Sequence, residues 1–235
     1  DPARLEVSMS QALLHQFANQ QACNEALAQQ LASCIMQAQQ TDQQIRLLLP
    51  GGQTPADLFK QLQHLNLPWD NISLSPTDER WVAGDSAYSN AQMLRTALPQ
   101  ATVIDPRLAD TAQGSCDAWA HALHSQQPFA ATLLGMGDDG HIASLFPGMP
   151  DLIPALQLHQ APAALVGLAP DEPKVRLSLN MAMLCATGWL AVLVFGQSKR
   201  AMLDRVLAND PTTQALPIYH LLWNAPLPVH VYWAP

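Results

Sequence analysis

The sequence predicts an α/β protein, a Rossmann-like, mostly parallel sheet with helices on both faces. Three observations carry this reading. Strand-length apolar runs alternate with helix-length amphipathic segments. The runs are apolar throughout rather than every second residue, as in strands buried on both sides. Glycine-rich or polar turns follow several of them, where parallel sheets carry their ligand loops.

Residues 10–40 read as one long helix, because Leu13, Leu14, Phe17, Ala18, Leu27, Leu31 and Ile35 recur near a 3.6-residue period. Its Gln-rich face reads as solvated. Residues 45–49 form an apolar run, 50–55 a glycine turn and 56–65 a helix. After a strand at 72–74 comes a polar loop, then a helix over 88–98, a strand at 102–104 and a helix over 112–125. Residues 132–134 run into a glycine-rich turn at 135–141. Further strands are expected at 165–168, 175–179 and 189–195, with a helix over 198–207 and an edge strand at 229–233. The Pro-rich stretch 147–173 reads as irregular surface. With no repeat or linker dividing the chain, residues 1–235 are expected to form a single domain.

Composition narrows the function. The chain has 235 residues, 49% hydrophobic and 13% charged, and its 11 basic against 19 acidic residues give a net charge of −8. Duplex nucleic acid needs clustered cations. The three lysines, Lys60, Lys174 and Lys199, are scattered, so no nucleic-acid partner is expected. No apolar run approaches the ~18–20 residues of a membrane span, and Asp1-Pro2-Ala3-Arg4 lacks a secretory signature. Cys23, Cys34, Cys116 and Cys185 show neither a C-x-x-C pair nor zinc spacing and read as free thiols. A cytoplasmic protein is expected.

Three loops after apolar runs carry candidate chemistry. Leu49-Pro50-Gly51-Gly52-Gln53-Thr54-Pro55 leads into a helix. Its glycines would let backbone amides approach an anion, although an ordinary strand-to-helix turn looks the same. In Thr77-Asp78-Glu79-Arg80-Trp81, acids and an arginine could orient hydroxyls and a phosphate, or form a surface ion cluster. Gly135-Met136-Gly137-Asp138-Asp139-Gly140-His141 formally fits G-x-G-x-x-G. However, Pro147 and Pro150 forbid the long helix a dinucleotide site needs, and no acid ends a following strand. The loop instead offers a histidine beside two carboxylates, a candidate base. Other constellations are poorer. No G-x-S-x-G elbow exists, His121-x-x-His124 reads as a solvated helix face, and Asp138, Asp139 and His141 lack a fourth metal ligand.

Four ordered blocks then resemble the 6-phosphogluconolactonase family, over roughly residues 45–223. They are Gly51-Gly52-x-Thr54-Pro55; Asp78-Glu79-Arg80 with Ser89-Asn90; the run from Leu133 through Gly-Met-Gly-Asp-Asp-Gly-His to Gly148; and Arg176-Leu-Ser-Leu followed by Gly196-Gln-Ser-Lys199. Pro50, Gln53 and Ser178 depart from the family pattern, and Gln53 removes one possible phosphate hydroxyl. The resemblance implies a NagB/RpiA/CoA transferase-like fold. It also implies hydrolysis of 6-phospho-D-glucono-1,5-lactone to 6-phosphogluconate in the oxidative pentose phosphate pathway.

By that resemblance, His141 is the general base and Asp139 its orienting partner. Arg80, Lys199, Arg176 and the Gly51, Gly52, Gln53 and Thr54 loop hold the phosphate, while Asp78, Asn90 and Gly137 position substrate. No cofactor or metal is implied, the partner is the small sugar-phosphate lactone, and the chain is a monomer or homodimer. One alternative is a sugar-phosphate isomerase or deaminase of the same fold, in which Phe146 would stand where a catalytic carboxylate belongs. The other is a non-catalytic sugar-phosphate-binding module, which has no use for His141.

Overall fold

The computed structural model describes residues 10 and 12–235. Asp1–Arg4, on which the leader reading rested, lie outside the described residues. The chain opens with β1 (Ala12–Gln16), α1 (Gln20–Gln39), β2 (Ile45–Leu49), α2 (Ala56–Gln63), β3 (Ile72–Pro76) and β4 (Asp78–Arg80). Then come α3 (Asn90–Ala97), β5 (Thr102–Val103), α4 (Ala112–His124), β6 (Ala131–Leu134), α5 (Leu152–Ala155) and β7 (Ala164–Leu168). It closes with β8 (Val175–Leu179), α6 (Met181–Leu184), β9 (Leu190–Phe195), α7 (Gln197–Leu207), α8 (Pro217–Asn224) and β10 (Val229–Ala234).

Seven strands form one sheet in the order β1-β10-β9-β6-β2-β3-β5, and every pairing in it is parallel. Its central strands β2, β6 and β9 are largely apolar because both of their faces are covered. Leu47 and Leu49 of β2, Leu133 of β6 and Leu193 of β9 pack with Leu27, Leu31, Phe59 and Leu94 from α1, α2 and α3. The alternate residues Leu48, Leu134, Val192 and Val194 pack on the other side with Trp119, Leu203, Val206 and Leu221 from α4, α7 and α8. Chain order reverses at the β2/β6 boundary, and ligands of such sheets bind beyond the carboxyl ends of strands at that point.

Several elements differ from the sequence-based expectation. The long helix over 10–40 is β1 followed by α1. Asn19, with φ −154 and ψ 166, accepts the amide of Ala22 and starts the helix there. Residues 12–16 instead pair with β10, whose outer edge would otherwise leave a row of unpaired backbone groups. In consequence β10, expected at the edge, lies inside the sheet. The strands at 164–168 and 175–179 leave the main sheet for an antiparallel one of order β4-β8-β7, which also takes in Asp78–Arg80, expected as loop. Backbone bonds Thr77 N to Leu49 O (3.1 Å) and Leu179 N to Thr77 O (3.1 Å) join the two sheets. Within residues 147–173, whose remainder reads as irregular, the expected strand is present as β7, and the short helix α5 was not expected. Helix α8 has no counterpart among the elements expected from sequence.

All four cysteines are unpaired. Burial pushes the thiols of Cys23, Cys116 and Cys185 up to about 12, so they are poor nucleophiles. No described helix is long and apolar enough to cross a membrane.

Across β1 and β10, His15 Nε2 and His230 Nδ1 lie 3.0 Å apart. His15 stacks on Tyr232 and His230 on Trp189. One ring must donate and the other accept, so the pair cannot both be protonated. Burial, then His15, lowers the His230 pKa, and burial lowers that of His220. An unfolded imidazole titrates near ~6.5. Below that value the unfolded chain binds more protons than the fold, so stability should fall as pH drops. Denaturant midpoints at about pH 7.5 and about pH 5.5 should differ less in His230→Gln than in the parent. An equal difference would remove His230 from this dependence.

Candidate active site

The loops after β2, β3, β6 and β9 meet beyond the carboxyl ends of the sheet and enclose a cleft of about 230 Å³. Thr77, Asp78, Arg80, Asn90, His141, Arg176 and Lys199 line it, with Gly51, Gly52, Thr54, Gly135 and Gly137. An outer chamber of about 350 Å³ shares Arg80, His141 and Arg176 and adds Asp138, Asp139, Phe146 and Asp171. Gln53 is exposed and lines neither chamber.

The first loop is shaped by close approach. A Cβ on Gly51 would overlap the side chain of Asn90, and Gly52 sits at φ +85. The amides of Gly51, Gly52, Gln53 and Thr54 donate to no described residue, so they remain available to a ligand. Asn90 donates from Nδ2 to the Asp78 carbonyl (2.8 Å). The Asp78 carboxylate, which is buried, accepts from Thr77 Oγ1 (2.8 Å) and Ser144 Oγ (2.6 Å).

Strand alternation sorts the Asp-Glu-Arg block. Asp78 and Arg80 face the cleft, whereas Glu79 points away and is fully buried. Its carboxylate accepts the amides of Arg80 (2.7 Å), Asn90 (2.7 Å) and Ala91 (2.8 Å), the Ser89 hydroxyl (3.0 Å) and Arg107 Nη1 (3.1 Å). Glu79 thus holds the amino end of α3 against β4. Ser89 also caps that helix, accepting from Gln92 N at 3.1 Å.

Arg80 lies opposite Arg176 in the antiparallel pairing of β4 with β8. Like charges in that position repel. Arg80 Nη1 donates to the Tyr88 carbonyl (2.9 Å), while its buried Nε has no partner among the described residues. Arg176 donates from Nε to the Pro173 carbonyl (2.6 Å), and its guanidinium lies 5.5 Å from the Phe146 ring centre. Burial and the neighbouring Arg80 lower the Arg176 pKa, against the pull of Asp78 and Glu79. Lys199 reaches the same cleft from the first turn of α7, which begins at Gly196 (φ +95). These are three cations with few anionic partners, converging on one cavity.

His141 is fixed on three sides. Asp139 Oδ1 accepts from its Nδ1 (2.5 Å) and its backbone amide (3.0 Å), and the ring tilts onto Phe146 at 4.4 Å between centroids. Gly137 leaves room for the imidazole, which any Cβ there would strike. A carboxylate only accepts, so Nδ1 carries a hydrogen, and Nε2 is the nitrogen left to act as base in the neutral ring. Burial raises the Asp139 pKa, but the bonds and charge of His141 outweigh it, and the carboxyl lies below its ordinary range.

Of the site residues implied by the family resemblance, all but Gln53 line one of the two chambers; Glu79, a candidate by its block, turns away from both. Among the described residues no three His, Cys, Asp or Glu side chains gather as a metal site, and His121 and His124 are exposed on α4. Ser144 and Arg107 escaped the sequence reading. Ser144 carries no signal beyond its block, and Arg107 lies 28 positions from Glu79, the carboxylate through which it reaches the site.

Gly137→Ala should cut turnover by about 10²-fold or more through displacement of the imidazole, with little loss of stability. Unchanged turnover would show that the ring need not sit where it does.

A family model described as "Glucosamine-6-phosphate isomerases/6-phosphogluconolactonase" matches residues 18–230. A 6-phosphogluconolactonase of Pseudomonas putida is 33% identical over 94% of this chain and 93% of its own. A 6-phosphogluconolactonase structure from Shewanella baltica superposes with a TM-score of 0.84 at 27% identity, over 95% of this chain and 98% of that one. A monomeric glucosamine-6-phosphate deaminase, 18% identical with a TM-score of 0.76 over 94% and 96% of the two chains, shares the fold. With its glycine loops, cation cluster and histidine in one cleft, the chain belongs to the 6-phosphogluconolactonase family, within the glucosamine-6-phosphate isomerase/6-phosphogluconolactonase group.

Proposed function

We propose that this cleft hydrolyses 6-phospho-D-glucono-1,5-lactone to 6-phosphogluconate, with His141 as general base. Family membership and the named lactonase relatives support the reaction. The observation that carries the mechanism is the His141 ring, tied through Nδ1 to Asp139, in the same cleft as Arg80, Arg176 and Lys199.

Nε2 takes a proton from water as the water oxygen attacks the lactone carbonyl. Asp139 holds the imidazole in the required tautomer and steadies the imidazolium. When the tetrahedral intermediate collapses, the bond from the carbonyl carbon to the ring oxygen breaks, and Nε2–H protonates that oxygen. The new carboxylic acid then releases its proton to solvent. Arg80, Arg176, Lys199 and the free amides of Gly51, Gly52 and Thr54 hold the phosphate, with Gln53 offering only its backbone. Asp78 and Asn90 face the sugar hydroxyls. A lactone is an activated acyl group, so positioning and one base suffice.

A ring-opening deamination needs a proton-transferring group beside the histidine, and buried Phe146 supplies none. Four free thiols suit a reducing compartment such as the cytoplasm.

The test is a coupled assay on freshly generated lactone, with spontaneous hydrolysis subtracted. His141→Ala should lose about 10²–10⁴ in kcat, and survival within a few-fold would remove the base. Lys199→Ala should chiefly raise KM, and an unchanged KM would exclude Lys199 from the phosphate site.

A further inference from the structure

We propose that Arg107, which lines neither chamber, is a positioning residue that sets the phosphate clamp through Arg80. The inference rests on Arg80 as a phosphate contact.

Strand β4 has three residues and is an edge of its sheet, paired on one side with β8. The Arg107 guanidinium occupies the other side. Its Nε donates to the Val82 carbonyl (2.5 Å), Nη2 to the Arg80 carbonyl (3.0 Å) and Nη1 to Glu79 Oε2 (3.1 Å). Asp105 anchors it in turn, accepting from Nη1 (2.8 Å) and from the Arg107 amide (3.0 Å). One planar fork thus grips the backbone on either side of Trp81 and the carboxylate that receives the Arg80 amide.

The Arg80 side chain has little else to fix it. Its Nη1 bond goes to a loop carbonyl, and its Nε is buried without a partner. It also faces the like charge of Arg176 across the strand pair. The guanidinium of Arg80 therefore sits where its backbone puts it, and Arg107 holds that backbone against the repulsion. Lysine retains a cation beside Glu79 and Asp105 but lacks the fork that reaches both carbonyls.

The experiment is a double-mutant cycle in the lactone assay. Arg107→Lys should raise KM about tenfold and leave kcat within about threefold, because His141 comes from a different strand end. Arg107→Gln should raise KM at least as much. In an Arg80→Ala background, Arg107→Lys should change KM by less than about twofold, since the residue it acts through is gone. KM does not depend on how much of a preparation is folded, so partial unfolding does not mask the reading. A KM unchanged in Arg107→Lys, or an effect that adds in full to that of Arg80→Ala, overturns the positioning role alone. A KM unchanged in Arg80→Ala itself overturns the phosphate assignment and the inference with it.

Discussion

The buried carboxylate of Glu79 is the constraint on which the cleft depends. Putting a charge out of reach of water costs several kcal/mol unless donors surround it, and Glu79 accepts from five. Three are backbone amides that nothing else in α3 or β4 satisfies, so the carboxylate also completes the amino end of a helix. Removing one partner of such a buried group typically costs about 3–5 kcal/mol. Because side chains alternate along a strand, anchoring Glu79 on one side obliges Asp78 and Arg80 to face the other. The same anchor holds Asn90 against Gly51, so two loops distant in sequence share one wall of the cleft.

The second half of the site is built by crowding rather than charge. Gly137 admits the imidazole, Gly140 (φ +81) turns the chain beneath it, and Phe146 closes one face. Asp139 then selects which nitrogen is the free base. A chain of net charge −8 thus keeps a local cation cluster at one mouth of its sheet, assembled from the ends of three elements. Recognition of a single phosphate needs that cluster and no basic surface.

Much of this was legible in the sequence because it is local. The glycine loops, the strand-length apolar runs and the histidine beside its carboxylate each declare themselves within a few residues. Contacts between distant segments did not. Residues 12–16 carry a helix-like period, and only the vacant edge of β10 makes them a strand. Asp78–Arg80 read as loop because its partner, β8, lies about a hundred positions away. Arg107 had no local signal, since its role is defined by carbonyls it meets only after folding. Gln53 shows the limit of a motif, which marks a loop's backbone but not where each side chain points: its side chain is exposed, and only its amide is left to a ligand.

The mechanism requires one orientation of substrate, with phosphate on the arginines and the reacting carbon at His141. A crystal structure of the complex with the product 6-phosphogluconate tests it most directly. The phosphate should lie within hydrogen-bond distance of Arg80 and Arg176, and a carboxylate oxygen within reach of His141 Nε2. A product bound the other way round, with its carboxylate on the arginines and its phosphate beside His141, would contradict it.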